Sequence, residues 1–176
     1  PDKTVIAGRT SRAFLGMRID CLQCHDDFLG NVNLGSTDEP TGGTQVDFHA
    51  LAAYFTHARV SPLGIRDANQ ASVYKYQLLD LETPSEIIPQ VPFQRDLAGK
   101  PASTSKKPLR RQLADWVTHP DNRPFARSIV NRVWAIITGR PLIAPVDNIP
   151  LDGPFPAAME DIVDDFIGNG FRLKRL

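Results

Sequence analysis

Cysteine is nearly missing from this chain, with two in 176 residues. A small domain stapled by several disulfides is therefore excluded. Charge of one sign is missing as well: 20 Lys and Arg stand against 20 Asp and Glu, a formal net charge of zero. A general nucleic-acid binder needs a basic face to displace counterions, and this balance argues against one. The local basic cluster of Lys106, Lys107, Arg110 and Arg111 reads as a solvated helix start. No run of about 18 apolar residues occurs, so no segment of this chain is expected to span a membrane. What remains, 41% hydrophobic over 176 residues, suffices to bury a core of one domain or two small ones.

The chain opens "PDKTVIAGRT", without the basic-then-apolar pattern of a secretion signal. Starting on Pro and stopping on "RLKRL", it reads as a piece of a longer polypeptide.

Helical periodicity dominates what is there. After Thr10 and Ser11, the apolar residues Phe14, Leu15, Met17 and Ile19 predict a helix reaching Cys21. The segment "GNVNLGSTDEPTGG" reads as an exposed loop. Phe48, Leu51, Ala52, Phe55 and Ala58 then recur on one helical face, with Thr44 as N-cap. Val73, Tyr74, Tyr76 and Leu78 predict a short extended piece. Five prolines between residues 83 and 108, Pro84, Pro89, Pro92, Pro101 and Pro108, make residues 83–106 a Pro-rich connector. Three helices follow. Leu109, Leu113, Trp116 and Val117 stripe the first, and Phe125, Ile129, Val133, Ile136 and Ile137 the second, started at Asp121-Asn122 and stopped by Gly139. Met159, Ile162, Val163, Phe166 and Ile167 stripe the third, closed by Gly168-Asn169-Gly170. The expected fold is mainly α: a small helical unit over residues 1–82, the connector, and a helical C-terminal unit over residues 107–176.

Both cysteines fall within "CLQCH", Cys21 to His25. This C-x-x-C-H spacing is the attachment sequence of a c-type haem. Two thiols on one turn each add across a vinyl group of the same porphyrin, and the next imidazole reaches the iron as proximal ligand. Three other readings compete. A thioredoxin-like dithiol needs a strand before the pair and a helix opening at the first cysteine. A zinc site needs a second ligand pair, and His49 and His57 miss the usual spacing. The third is coincidence. For the sixth iron ligand the candidates are Met17, His49, His57, His119 and Met159. His49, flanking the apolar face of its helix, is the candidate distal ligand; a plain surface histidine is the alternative. His119, between a helix end and Pro120, reads as a cap.

Arg12, Arg18 and Arg59 flank this unit, and each is a candidate partner of a haem propionate or an exposed charge. Arg18 and Phe28 join Cys21, Cys24 and His25 as candidate cofactor-binding residues. Arg132, on the most apolar helix, needs a buried partner, with Asp115 or Asp147 expected. The acidic run Glu160, Asp161, Asp164 and Asp165 suits the polar side of a helix start. No Ser-His-Asp set, phosphate-cradling glycine loop or H-E-x-x-H motif is present.

"FLGMRIDCLQCHDDF" followed by "DFHALAAYF" resembles the haem-binding region of the large secreted cytochrome-type proteins of planctomycetes. "LRRQLADWVTHPDNRPFARSIVNRVWAIITGRPLIAPVDN" with "FRLKRL" is similar to the planctomycete-specific domain that follows it there. The resemblance covers about residues 9–59 and 107–176. It implies a periplasmic or extracellular chain carrying one covalent haem c, redox partner proteins, and further domains of a larger chain or complex. One departure stands out: the family's H-D-H-P becomes His25-Asp26-Asp27-Phe28.

The expected function is one-electron transfer, an electron carrier more than a catalyst. A haem enzyme would need an open distal side. The alternative is an interaction module in which haem, a metal or a disulfide at Cys21 and Cys24 is structural.

Overall fold

The computed structural model describes residues 2–68, 72–99 and 105–176, and they are mainly helical. Helix α1, Lys3–Thr10, opens where the Thr4 amide donates to the Asp2 carboxylate at 2.9 Å. It widens into the turn Ser11–Leu15 and stops at Gly16, whose φ of 66° only glycine adopts cheaply. The helix thus starts earlier than the apolar spacing indicated and ends before the cysteines. Leu15, Met17 and Ile19 are all buried, but they line a helix end and an extended link. Cys21 follows on a single 3-10 turn, Asp20–Gln23.

Helix α2, Gln45–Ala53, begins in a capping box: the Thr44 hydroxyl accepts from the Asp47 amide, and the Asp47 carboxylate accepts from the Thr44 amide. The expected apolar face is buried, but so are Gln45, His49, Ala50 and Ala53. This helix is enclosed on nearly every side. It ends short of the expected length, and the chain turns into an unanticipated hairpin, β1 (Ala58–Ser61) with β2 (Gly64–Asp67), Val60 facing Ile65. The extended piece expected near Tyr76 is β3, Lys75–Tyr76, paired antiparallel with β4, Ser85–Glu86.

The stretch read as a connector does more than link. Ile87, Val91 and Phe93 are at most 7% exposed and belong to the same core as α2. Proline removes ladder hydrogen bonds, yet it does not stop its neighbours from being buried.

Helix α3 (Leu109–Val117) puts Leu113, Trp116 and Val117 into that core too. The Trp116 ring meets Phe93 edge-on, 4.9 Å between centroids, and its indole N–H donates to the Gln94 carbonyl at 3.3 Å. Truncating a side chain buried this way costs about 3–5 kcal/mol. Helix α4 (Arg123–Thr138) packs on α5 (Ala157–Gly168) around a second cluster of Ala126, Val130, Met159, Val163 and Phe166.

On α4 the buried face is rotated from the expected one. Ile136 and Ile137 are 82% and 70% exposed, while Arg127, Ser128 and Asn131 are buried. Partners pull Arg127 and Asn131 inward, whereas the buried Ser128 hydroxyl has no hydrogen-bond partner among the described residues. The Arg127 guanidinium donates to both Glu160 carboxylate oxygens, at 2.8 and 2.9 Å, and lies 3.7 Å over the Phe155 ring. Asn131 exchanges two hydrogen bonds with the Ile143 backbone.

The C-terminal helices are tied to the N-terminal segment. The Ile149 amide donates to the Gly16 carbonyl at 2.7 Å, and Arg132 donates to the Arg12 carbonyl at 2.6 Å. Arg132 thus meets a backbone oxygen and neither of its two expected partners. Asp147 pairs with Arg12 and Arg18, and Asp115 with Lys107 and Arg111.

Candidate functional site: the thiol turn

The two cysteines are free and exposed. The Cys24 amide donates to the Cys21 carbonyl at 3.3 Å, closing the 3-10 turn. In such a turn side chains three apart eclipse, so both thiols lie along one edge. Between them, Leu22 is fully buried. It packs where a Cβ on Gly43 would stand, only 2.6 Å from the Leu22 Cδ1. A side chain at position 43 would displace this anchor.

Gln23 points its carbonyl inward, where three donors converge. Gln45 Nε2 donates at 3.1 Å, His49 Nε2 at 3.0 Å and the Tyr76 hydroxyl at 3.4 Å. Because a carbonyl only accepts, His49 carries its proton on Nε2. Its Nδ1 then accepts from the Tyr74 hydroxyl at 2.8 Å. The Tyr76 ring stacks on the imidazole, 3.5 Å between centroids and 22° from parallel. Burial pushes the His49 pKa below the ordinary histidine value, with the Gln23 carbonyl pulling the other way. Burial also pushes Tyr74 up to about 12, the charges of Tyr76 and Asp2 adding to it. Tyr74 is therefore a protonated donor at neutral pH.

His49 was the candidate distal ligand. It is fully buried, and both ring nitrogens are spent on Gln23 and Tyr74. While those bonds stand it offers no nitrogen to a metal. The other candidates are also engaged. Met17 and Met159 are buried among apolar neighbours, and His57 bonds the Ser72 carbonyl. His119 accepts the Asp121 amide at 3.2 Å, a turn-closing role close to the expected cap.

His25 is exposed, with its ring near-parallel to Phe28 at 6.3 Å between centroids. Its Nδ1 lies 2.7 Å from the Asp26 carbonyl. That bond places a proton on Nδ1 and leaves Nε2 as the basic nitrogen, the tautomer a metal-ligating histidine takes. Phe28 and Leu29 are 83% and 85% exposed, an apolar tip beside the imidazole. Arg18 directs Nε and Nη2 to Asp147 at 3.1 and 2.7 Å. Its charge is thereby matched, and the Arg18 hydrogen bond holds Asp147 below the usual carboxylate range, with Arg12 contributing.

Several residues that shape this turn carried no distinctive motif. Asp26 accepts the Gln45 amide at 2.6 Å, a carboxylate at the start of α2. Asp27 accepts the Leu29 and Val32 amides at 3.1 and 2.5 Å. The acidic pair following His25 thus fixes the loop on one side and the helix on the other. Aspartate after a C-x-x-C-H run was the available signal for both.

Among the described residues no three His, Cys, Asp or Glu side chains converge as a metal cluster. A closed zinc site would need such convergence. Haem attachment does not, because the thiols bond porphyrin carbons and only one imidazole meets the metal. The donor set of the turn fits that group.

No curated protein and no solved structure matches the chain. Residues 109–176, from α3 to the last residue, match a planctomycete-associated domain family described as "PSD1: Protein of unknown function (DUF1553)".

Proposed function

We propose that the chain is a c-type cytochrome module, holding one haem through Cys21 and Cys24 and passing single electrons outside the cytoplasm. The observation that carries this reading is the pairing of two free, exposed thiols three residues apart on one turn with an exposed imidazole directly behind the second, its Nδ1 on the Asp26 carbonyl. When bound, the group supplies a one-electron couple. The chain's own residues bind and orient it. The two thiols fix the macrocycle edge, the Asp26 carbonyl holds the His25 tautomer, and Phe28 with Leu29 offers apolar surface to one side. Thioether formation requires reduced thiols and is characteristic of extracytoplasmic maturation, so the periplasm or cell exterior is the proposed location. Redox proteins and further domains of a larger chain are the proposed partners. The resemblance of residues 9–59 to planctomycete cytochrome-type proteins supports the same reading.

The test is a pyridine haemochrome spectrum with an intact-mass measurement on protein made in a host that attaches haem c. A c-type α-band and the added mass of one haem are expected. Their absence in fully matured protein removes the reading. Rapid CO uptake by the reduced protein would favour an open iron and hence an enzyme over a carrier.

A second reading rests on the thiols themselves, both free and exposed and three residues apart on one turn. In the alternative, the thiols close on each other as a structural disulfide and the helices serve an interaction module. Thiol titration of the isolated chain discriminates: two titratable thiols only after reduction, with no haem, would favour this second reading.

A further inference from the structure

Gln45 and His49 are polar side chains on a helix buried nearly all round, and Tyr76 comes from a separate strand. All three turn a donor onto the same atom, the Gln23 carbonyl oxygen. That carbonyl belongs to the peptide directly joining Gln23 to Cys24. A carbonyl has two lone pairs, and one donor would satisfy it. Three donors exceed what satisfaction of a buried group requires, and their shared effect is to fix one peptide plane.

The fixed plane has a consequence for the thiols. A free four-residue segment samples many backbone conformations, and fixing each residue costs conformational entropy. Two sulfurs meeting one rigid partner need that loss to occur before the encounter. Leu22 anchors the turn from one side in the core, and the Gln23 carbonyl anchors it from behind. Asp26 then ties the outgoing chain to the first amide of α2.

We infer that Gln45, His49 and Tyr76 are positioning residues. By converging on the Gln23 carbonyl they hold Cys21 and Cys24 along one edge, so that both thiols engage a single rigid ligand. The inference rests on the thiol turn being the functional site, and it deepens the haem reading by naming what preorganises attachment. His49 acts here through its Nε2 proton and contributes no bond to a metal.

The test compares wild type, Tyr76→Phe, His49→Leu and His49→Gln, made with and without the haem-attachment machinery. In haem-free protein, NMR hydrogen exchange reads the Cys24 amide against amides in the core of α2 and α4. Loss of one hydrogen bond should speed Cys24 exchange about two- to tenfold while core amides hold. His49→Gln keeps an amide donor at the same reach and should recover part of the protection that His49→Leu loses. In attached protein, alkylation of residual thiol followed by mass spectrometry counts molecules joined through one sulfur. That singly joined fraction should rise in Tyr76→Phe and His49→Leu and fall back in His49→Gln. Unchanged Cys24 exchange, exchange that rises equally at core amides, or full double attachment in every variant would each overturn the inference. Wild type that carries no haem would sink the cytochrome reading alone, because the exchange comparison still decides whether the three donors position the turn.

Discussion

Replacing His49 with glutamine should remove one specific pH dependence of stability. In the fold His49 is buried and neutral, its Nε2 proton given to Gln23 and its Nδ1 accepting from Tyr74. Burial lowers its pKa relative to the exposed chain. The unfolded state therefore binds a proton that the native state resists. Stability from this residue is complete above about pH 6.5, the ordinary histidine value, and is lost as pH falls below it. The loss continues until the native state itself takes up the proton. For one proton the slope reaches at most about 1.4 kcal/mol per pH unit, and with an unfolded value of about 6.5 the loss between pH 7.5 and 5.5 is at most about 1.4 kcal/mol. Glutamine retains a donor for Gln23 and does not titrate. The assay is urea unfolding of haem-free wild type and His49→Gln at both pH values. The other histidines and all carboxylates are common to the two proteins and cancel in the difference. The variant starts less stable, yet should lose measurably less on acidification, by no more than about 1.4 kcal/mol. Equal losses in the two proteins would refute the account of a buried, neutral imidazole.

Two further outcomes follow from contacts elsewhere in the fold. Gly43→Ala forces a methyl into the space of the Leu22 side chain; overpacking of this kind costs about 1–3 kcal/mol. Because Leu22 lies between the cysteines, alkylation rates of both thiols should change along with the urea midpoint. Arg127→Leu leaves Glu160 with only Arg123 for an ion pair, and losing charge-assisted hydrogen bonds at a partly buried carboxylate that keeps one partner costs about 1–3 kcal/mol. Arg127 is the main cause holding the Glu160 carboxyl below its ordinary value of 4.5, with Arg123 adding to it. Wild type should lose that contribution as pH falls below about 4.5, and the variant should lose less, readable in paired acid titrations by circular dichroism.

What the sequence disclosed divides by the range of the interaction. The Thr44 cap, the Gly139 stop and the three C-terminal helices depend on neighbours a few residues apart, and all appear where those neighbours indicate. The Ala58–Asp67 hairpin also had a local signal, Pro62-Leu63-Gly64 between β-branched residues, but the helical reading of the preceding stripe ran on to Ala58, the first residue of its first strand. Periodicity failed on α4 because Arg127 and Asn131 are drawn inward by partners 12 and more residues away. At the thiol turn, the C-x-x-C-H spacing was plain, while the use of His49 was hidden. Its partners Tyr74 and Gln23 are 25 and 26 residues distant, and a helical wheel counts only which face a residue occupies.

The same network supplies a contrast between stability and positioning. A buried imidazole and phenol are costly unless each meets its partner, and a satisfied pair contributes only modest net stability. Leucine at position 49 alone would orphan the Tyr74 hydroxyl and cost about 1–3 kcal/mol on that ground. Changing Tyr74 to phenylalanine at the same time removes the orphan and leaves an apolar pair of similar bulk. The Gln23 carbonyl still keeps Gln45 and Tyr76 as donors. The double variant His49→Leu/Tyr74→Phe should therefore recover most of the stability lost in His49→Leu, to within about 1 kcal/mol of wild type. Its Cys24 amide should nonetheless exchange as fast as in the single variant, because the His49 donor is gone from both. Urea midpoints and residue-level exchange measured on the same samples separate the two quantities. If restoring stability also restored Cys24 protection, these side chains would be serving the fold as a whole, and the polar filling of an otherwise apolar helix would owe nothing to the thiols.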